Sequence, residues 1–396
     1  MTPEEYKKTM TFIERNKNAI EFSLWRWWKN YTWAKFLFFI SPFVTILVIL
    51  SIFLLPTMWG KCGATVDYHI VGTTLYIEGV GRMDQFYGKD PPWWPWHNII
   101  RKIEISDGVN GIGLYAFYEF KNLRSVEIPS SVKTIGAWAF QRCEKLDELQ
   151  ASGVTIVGRA ACAECTSLGS VQLCQTDAID LGEEAFQRCE SLVTFSSHPV
   201  VNLDDRCFDG CEKLDGLEYL TPVRVGQFAL SGCVSLSSFP MMRTSDALTT
   251  SPGRRPLFGT GAFLNCTSLT QAVLPEGVTV VPEAMFKGCT SLLDVTLPEG
   301  ITTISEGAFY GCTALESLIL PESLRRIEKD AFTDCVSLSM LVIPDETTRI
   351  DRTAFRRWTA EQTVLLPSLD LMPQGAAYSD ARLEEKEKDR ESRRIL

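Results

Sequence analysis

Apolar residues recur at fixed intervals over residues 103–367 of the chain. In the clearest unit, a short alternating stretch around Val295 ends at Pro298, two further apolar positions follow, and an Ala-Phe pair comes before Cys312. Alternation predicts a short strand, Pro predicts a turn, and the remaining positions predict a second extended piece and one helical turn. The last five units follow one another at a spacing of 23 residues, measured between successive prolines from Pro275 to Pro367.

One large apolar position identifies each unit. It is occupied by Phe117, Phe140, Cys162, Phe186, Phe208, Leu230, Phe263, Phe286, Phe309, Phe332 and Phe355, at spacings of 22 to 24 residues apart from one of 33. A unit of this length cannot bury its apolar face alone, so neighbouring units must stack and share a core. The pattern predicts a leucine-rich repeat solenoid of α/β class, with about eleven repeats built from short parallel strands and helical or 3-10 turns.

The repeat and the segment before it resemble a known family. The pattern Ile-x-x-x-Ala-Phe-x-x-Cys-x-x-Leu-x-x-Val-x-Leu-Pro, together with Leu75–Gly79, Pro92-Trp93 and Ile103–Val109, resembles the BspA-like leucine-rich repeats of microbial surface proteins. The resemblance covers roughly residues 67–367. It implies a capping strand and first turn before the repeats, and an extracellular, non-catalytic role in binding or adhesion.

Residues 36–55 contain no charged side chain and are long enough to cross a membrane as a helix, with Pro42 bending it. Tryptophans flank this run, and four Lys or Arg precede it closely against Lys61 alone after it. A cleavable signal peptide is the alternative, but its apolar region is shorter and ends in a small-residue motif. We therefore expect a single-pass signal-anchor with a cytoplasmic tail (1–35) and repeats on the extracellular or lumenal side. A juxtamembrane segment and cap (56–102), the solenoid (103–367) and a charged tail (368–396) complete the predicted organisation.

Nine cysteines share one position of the repeat. They are Cys143, Cys165, Cys189, Cys211, Cys233, Cys266, Cys289, Cys312 and Cys335. Because Phe120 and Trp358 fill the same position in the first and last units, we expect it to face the core and to hold reduced thiols. Pairing between adjacent units and redox or zinc chemistry at Cys162-x-x-Cys165 stay open as alternatives. Cys62 is the candidate for a partner-linking or lipidated thiol.

The charge balance and the scattered histidines exclude several classes of function. Net charge is −10, and because the first 35 residues hold seven Lys or Arg against four Asp or Glu, the rest carries −13. Such a balance argues against nucleic-acid binding. His69, His97 and His198 lie in unrelated contexts and form no nucleophilic or metal-binding set, so we expect neither an enzyme nor a cofactor. Glu183-Glu184 and Asp204-Asp205 are read as solvated charges in turns.

A partner surface is predicted on the first strand of the later units. The outward residue there is apolar or β-branched in five successive units, namely Val273, Thr296, Ile319, Val342 and Leu365, whereas the earlier units carry polar or acidic residues. Strand propensity alone accounts for such residues, and a contact surface for a protein or cell-surface ligand is the functional alternative.

The spacing of 33 residues places a loop across Met241–Phe258, with Arg254 and Arg255, which we include in the candidate surface. Self-association as a structural or coat component of the membrane surface is the competing function.

Overall fold

The computed structural model describes residues 58–174, 179–197, 200–215, 217, 222–240, 242 and 257–365. The chain divides into two units, Met1–Trp59 and Gly60–Leu396, and nearly all the described residues belong to the second. The predicted membrane span (36–55), both predicted tails, and Arg254 and Arg255 lie outside the described residues. Within the described part, no helix is both long and apolar enough to cross a membrane.

An antiparallel hairpin starts the described fold. It consists of β2 (Val66–Val71) and β3 (Thr74–Gly79), with the short strands β1 (Trp59–Lys61) before it and β4 (Gly81–Arg82) after it, and a 3-10 helix follows at Trp94–Trp96. Strand β2 pairs antiparallel with β3, which pairs in parallel with the first strand of the repeats. Trp93 is fully buried against Phe117, and its indole N–H donates to the carbonyl oxygen of Ala116 at 2.7 Å. The hairpin and Trp93 therefore cover one end of the repeat core.

The first strand of each repeat contributes to one column of parallel strands. These strands are β5 (Lys102–Ile105), β7 (Ser125–Glu127), β9 (Glu148–Gln150), β11 (Ser170–Gln172), β13 (Thr194–Ser196), β16 (Gln271–Val273), β18 (Asp294–Thr296), β21 (Met340–Val342) and β23 (Thr363–Leu365). Their middle residues are buried and their flanking residues point outward, as in β18, where Val295 is buried and Thr296 is exposed. Strands β16 and β18 form a separate two-stranded sheet, as do β21 and β23.

The second extended piece of each repeat forms the other column. Its strands are β6 (Val109–Ile112), β8 (Thr134–Ile135), β10 (Ile156–Val157), β12 (Ile179–Leu181), β14 (Val200–Leu203), β15 (Arg224–Val225), β17 (Val280–Val281), β19 (Thr303–Ile304), β20 (Arg326–Ile327) and β22 (Arg349–Ile350). Pairing is parallel throughout the column, so each repeat advances the stack by one strand. The result is a parallel-strand solenoid of about ten turns, which confirms the predicted solenoid, although the spacing predicted about eleven repeats.

The prediction of helical turns around the Ala-Phe pair was wrong, and so was the α/β class that depended on those turns. In the described residues no α-helix forms, and the one 3-10 helix lies before the repeats. The residues two before and two after the Phe position adopt positive φ, as at Trp138 (56°) and Arg142 (61°) on either side of Phe140. An α-helix needs an unbroken run of negative φ. The backbone N–H of Phe140 instead donates to Ala161 of the next repeat at 2.7 Å.

The Phe position forms the centre of the core. Consecutive rings are nearly parallel at the C-terminal end, where Phe309 and Phe332 lie 5.4 Å apart between ring centres at an angle of 2°, and Phe332 and Phe355 lie 5.6 Å apart at 3°. Phe309 and Phe332 are fully buried. Offset stacking of aromatic rings adds a directional contribution to the burial of their apolar area, so the stack helps to set the register between repeats.

The one long interval between repeats is an insertion after the first strand position. Val225 forms a parallel bridge with Phe258, as successive repeats do elsewhere. Phe239 lies at the strand position of the preceding unit, and its ring packs 4.8 Å from that of Phe263. The additional residues are therefore confined to the segment between Met242 and Leu257, which lies outside the described residues.

Candidate functional site

The shared cysteine position faces the core in every described repeat. All nine cysteines of the ladder are fully buried, and all are free thiols. The position follows the Phe position by three residues in each repeat. No disulfide joins adjacent repeats in the described residues.

Each of these thiols also makes a hydrogen bond. The S–H of Cys312 donates to the carbonyl oxygen of Phe286 in the preceding repeat at 3.1 Å, and that of Cys335 donates to Phe309 at the same distance. In the last repeat Trp358 occupies the cysteine position, and its indole N–H donates to the carbonyl oxygen of Phe332 at 2.8 Å. The carbonyl oxygen of Phe286 also accepts the backbone N–H of Cys289 at 3.1 Å, so the thiol supplies a second donor to it. The ladder thus combines apolar filling with a hydrogen bond that Ala or Val could not supply.

Burial makes these thiols poor nucleophiles and poor metal ligands. It raises the pKa of Cys289 to about 12 and holds the pKa of Cys162 well above its ordinary value. The thiolate is the reactive form of cysteine, and raising the pKa depletes it. Cys162 and Cys165 are both fully buried, so their C-x-x-C spacing reflects the repeat and gives no open redox site.

Cys62 is not the accessible thiol that the sequence suggested. Its side chain is 1% exposed, and burial, with Asp84 and Asp67 nearby, raises its pKa to about 12. The hairpin and the first repeats enclose it, which position along the chain could not indicate. The folded protein therefore does not expose this thiol for lipidation or for a bond to a partner.

The acidic pairs form ion pairs at the surface. Arg159 lies 3.2 Å from Glu183 and 3.5 Å from Glu184, and Arg224 donates to Asp204 at 3.0 Å and to Asp205 at 3.3 Å. In the described part of the chain, no group of three or more His, Cys, Asp or Glu side chains could hold a metal ion. These carboxylates are therefore satisfied within the fold.

The five residues of the predicted partner surface occupy the same outward position in five successive repeats, and they are called the apolar stripe below: Val273, Thr296, Ile319, Val342 and Leu365. Val273 is in register with Thr296, and Val342 with Leu365. Ile319 is 86% exposed, and Val273 is 61% exposed. Such exposure is costly for an aliphatic side chain because it leaves apolar area in water.

The earlier repeats present a different surface at the same position. Lys102 bridges Glu104 at 2.8 Å and Glu127 at 2.6 Å, and these side-chain hydrogen bonds raise the pKa of Lys102. Gln150 and Gln172 follow, both exposed. The outward face of the first strand column is thus polar in its first half and apolar in its second.

Sequence reasoning missed a row of carboxylates beside the apolar stripe. The turn after each first strand begins with an exposed acidic residue in four successive repeats, and these residues are called the acidic row: Glu276, Glu299, Glu322 and Asp345. None of their side chains forms an ion pair with another described residue. An acidic residue directly after the Pro of each strand end, Pro-Glu in three repeats and Pro-Asp in the fourth, was the signal that could have revealed the row.

A groove of about 520 Å³ opens at the start of the apolar stripe. Phe239, Pro240, Met242 and Val273 contribute apolar surface to it, and the hydroxyl of Ser238, also in its lining, is buried without a hydrogen-bond partner among the described residues. The groove lies where the first strand column is interrupted, since among the described strands β16 pairs only with β18. The stripe and this groove are continuous through Val273.

Comparison with known proteins gives one family match. The family model for the BspA type leucine rich repeat region, in six copies, matches residues 96–215, 150–251 and 257–379. No curated protein matches the chain. Among solved structures, a leucine rich cell surface protein from Faecalibacterium prausnitzii is 23% identical, with a TM-score of 0.46, and the alignment covers 77% of this chain and 94% of that one. A leucine-rich repeat protein from Bacteroides ovatus is 22% identical, with a TM-score of 0.39 and coverages of 77% and 99%.

Proposed function

The chain belongs to the BspA type leucine rich repeat family, as its repeat pattern predicted, and from this we propose that it is a non-catalytic scaffold that binds another protein along the apolar stripe. A repeat stack of this kind offers a long, regular surface whose outward positions vary without disturbing the core. Function then depends on which residues occupy those positions.

The observation that carries the proposal is the contrast between the two halves of one face. In the first half, exposed positions hold charged and amide side chains, such as Glu127 and Gln150. In the second half, the same positions expose Val273, Ile319 and Val342. Strand propensity would favour β-branched residues equally in all repeats, so it does not account for the contrast. A surface that a partner covers does account for it.

A comparison of two triple variants of the full chain tests this proposal. Val273, Ile319 and Val342 are replaced by Lys in the first, and Glu127, Gln150 and Gln172, which occupy the same position in earlier repeats, are replaced by Lys in the second. Each protein is immobilised, and the proteins it retains from a membrane and surface extract of the source cells are quantified by mass spectrometry. We expect one partner that the wild type and the second variant retain and the first loses at least tenfold. Identical retention by all three proteins would refute the proposal.

Self-association is the competing use of the same stripe. Sedimentation of the full chain over a range of concentrations distinguishes self-association from binding of another protein. If two copies associate through the stripe, the mass of the wild type should rise with concentration, whereas the mass of the first triple variant should stay constant.

We further propose that residues 36–55 anchor the protein in a membrane, with the N-terminus cytoplasmic and the repeats on the extracellular or lumenal side. Support comes from the uncharged run and the excess of Lys and Arg before it. Protease added to sealed vesicles of known orientation provides the test. In vesicles whose outer face corresponds to the cytoplasmic side, the protease should leave the repeats intact. Digestion of the repeats in those vesicles would contradict the proposed orientation.

A further inference from the structure

The acidic row indicates what chemistry the partner brings to the apolar stripe. Its four carboxylates stand at successive turns, each three residues after a stripe residue, as Glu299 follows Thr296 and Glu322 follows Ile319. Repeats are separated by about 4.8 Å along the column, so like charges lie close together without a cation to balance them. This arrangement is unfavourable in the free protein and favourable beside a positively charged partner.

Carboxylates in successive repeats occur at this turn position only where the stripe is apolar. In the first three repeats the corresponding positions hold Asp107, Ser130 and Gly153, so a single carboxylate there is followed by two uncharged residues. Across the stripe, on the other side from the row, lie Asp294 and Glu316, both exposed. The run of carboxylates at successive turns and the apolar stripe therefore lie in the same half of the face.

Cations within the described part of this surface do not neutralise the row. None of the strands β16, β18, β21 and β23 contains Lys or Arg. Arg325 follows Glu322 by three residues, but its guanidinium lies 3.6 Å from Glu346 and donates to the backbone carbonyl oxygens of Glu322 and Leu324. The carboxylates of the row remain available to an external cation.

We propose that the occupant of the apolar stripe is a basic amphipathic helix of a partner protein, lying along the stack with apolar residues on the stripe and Lys or Arg beside the acidic row. This inference rests on the proposed function and specifies its partner. Helix-in-groove recognition places apolar side chains every three or four residues, with charged residues on the flanks.

The spacing of the repeats favours a helix over an extended segment. Five stripe positions at about 4.8 Å span about 19 Å. Four helical turns at about 5.4 Å cover about 22 Å, so each turn stays near one repeat. An extended strand places side chains on one face about 6.8 Å apart and would cover about 27 Å, losing register by more than one repeat. About four turns of helix therefore match the whole stripe.

Synthetic peptides of 18 residues test the inference with the full chain. One contains Leu and Lys in helical order, a second has Glu at every Lys position, and a third has the Leu and Lys of the first in strict alternation. Dissociation constants are measured by fluorescence anisotropy in one buffer for the wild type, for Glu299→Lys/Glu322→Lys, and for the control Gln150→Lys/Gln172→Lys. Thermal melting followed by circular dichroism verifies that each variant is folded.

We expect the wild type and the control to bind the helical Leu/Lys peptide at least tenfold more tightly than the other two. In Glu299→Lys/Glu322→Lys the preference should reverse in favour of the Leu/Glu peptide. If the wild type binds the helical Leu/Lys and Leu/Glu peptides with equal dissociation constants, or if the charge-reversed variant keeps the preference of the wild type, the proposal of a basic partner is wrong. If the wild type binds the alternating peptide as tightly as the helical Leu/Lys peptide, the proposal of a helix is wrong.

The two proposals fail in different ways. If the Lys substitutions in the stripe abolish retention of the cellular partner and the peptides show no charge preference, the scaffold role stands and the basic helix is wrong. If the stripe substitutions change neither retention nor peptide binding, the proposed function itself is wrong. Concentration-dependent association through the stripe would identify a second copy of the chain as the occupant and would also overturn the basic helix.

Discussion

At the scale of single residues, the cysteine position is specified by two requirements at once. It must fill a small space between stacked repeats, and it must donate a hydrogen bond to a buried carbonyl oxygen, as Cys312 does to Phe286. Cysteine meets both, since its side chain is small, apolar and a weak donor. Trp358 meets the second requirement at the end of the stack, where a larger side chain fits.

Replacing Cys312 by Ala and by Ser separates the two requirements, because Ala and Ser have similar volumes and only Ser donates. We expect Cys312→Ala to lower the free energy of unfolding by about 1 kcal/mol more than Cys312→Ser, the net contribution of one hydrogen bond. Urea unfolding followed by circular dichroism measures the difference. Equal stability of the two variants would show that the thiol serves only as filling.

Alkaline pH should destabilise the fold through the same thiols. Burial raises the pKa of Cys289 from its ordinary value of 9.0 to about 12, so between these values the folded form keeps a proton that the unfolded form loses. Stability is therefore complete below about pH 9 and falls as pH rises, by at most ~1.4 kcal/mol per pH unit for each such thiol. Urea unfolding at about pH 8.5 and pH 10 should show a smaller loss for Cys289→Ser than for the wild type. An equal loss would contradict the assignment to Cys289.

At the scale of elements, the turns around the Phe position depend on residues with positive φ. Gly fills the position two after Phe in several repeats, with φ of 78° at Gly288 and 74° at Gly311, whereas Asn265 fills it at 59°. Non-Gly residues other than Asn and Asp pay about 1–2 kcal/mol for this conformation. The turn remains because backbone hydrogen bonds to the next repeat hold it, such as that from Gly311 to Thr333 at 2.8 Å.

Substitution of Gly311 tests this backbone requirement. A Cβ atom built there has no heavy atom closer than 3.9 Å, so steric contact does not interfere. We expect Gly311→Asn to be nearly neutral and Gly311→Val to lower the free energy of unfolding by about 1–2 kcal/mol, because β-branched residues resist positive φ. Thermal or urea unfolding of both variants provides the comparison, and equal stability of the two would contradict the explanation.

The elements also show which features the sequence could predict. Strand columns, register and the buried Phe position follow from the 23-residue spacing, because each apolar position repeats and only one stacking satisfies them all. The turn conformation did not follow, since Trp138, Arg142 and Glu184 occupy positive-φ positions without any local preference for them. Recurrent Gly at Gly210, Gly232, Gly288 and Gly311 was the available signal.

At the scale of the whole molecule, stability depends on contacts between neighbouring repeats. A core substitution in the middle of the solenoid should therefore unfold the repeats next to it and leave distant repeats folded. Phe309 stacks on both Phe286 and Phe332. Phe309→Ala removes both contacts and should cost about 3–5 kcal/mol locally. Hydrogen exchange measured by mass spectrometry should show lost protection in the repeats next to position 309 and nearly unchanged protection around Phe140. Uniform loss throughout the repeats would indicate that the stack unfolds as one unit.

The candidate surface also belongs to this scale, because it exists only when five repeats are stacked. The stripe residues were identified from the sequence by their position in the repeat. In the structure all five are exposed, and Val273 is in register with Thr296 as Val342 is with Leu365. Arg254 and Arg255, predicted to share the surface, lie outside the described residues. Neighbouring carboxylates such as Glu299 were not singled out, because a Glu in a turn carries no signal until the repeats are aligned.

Site-specific photocrosslinking tests the central claim most directly. A photoreactive amino acid is placed at Ile319 in one version of the full chain and at Gln172 in another, and the protein is irradiated in the cells that produce it. Both positions are exposed and occupy the same place in the repeat. The account predicts that position 319 crosslinks to a partner protein and position 172 does not. Crosslinks from position 172 alone, or the same crosslinks from both positions, would contradict it.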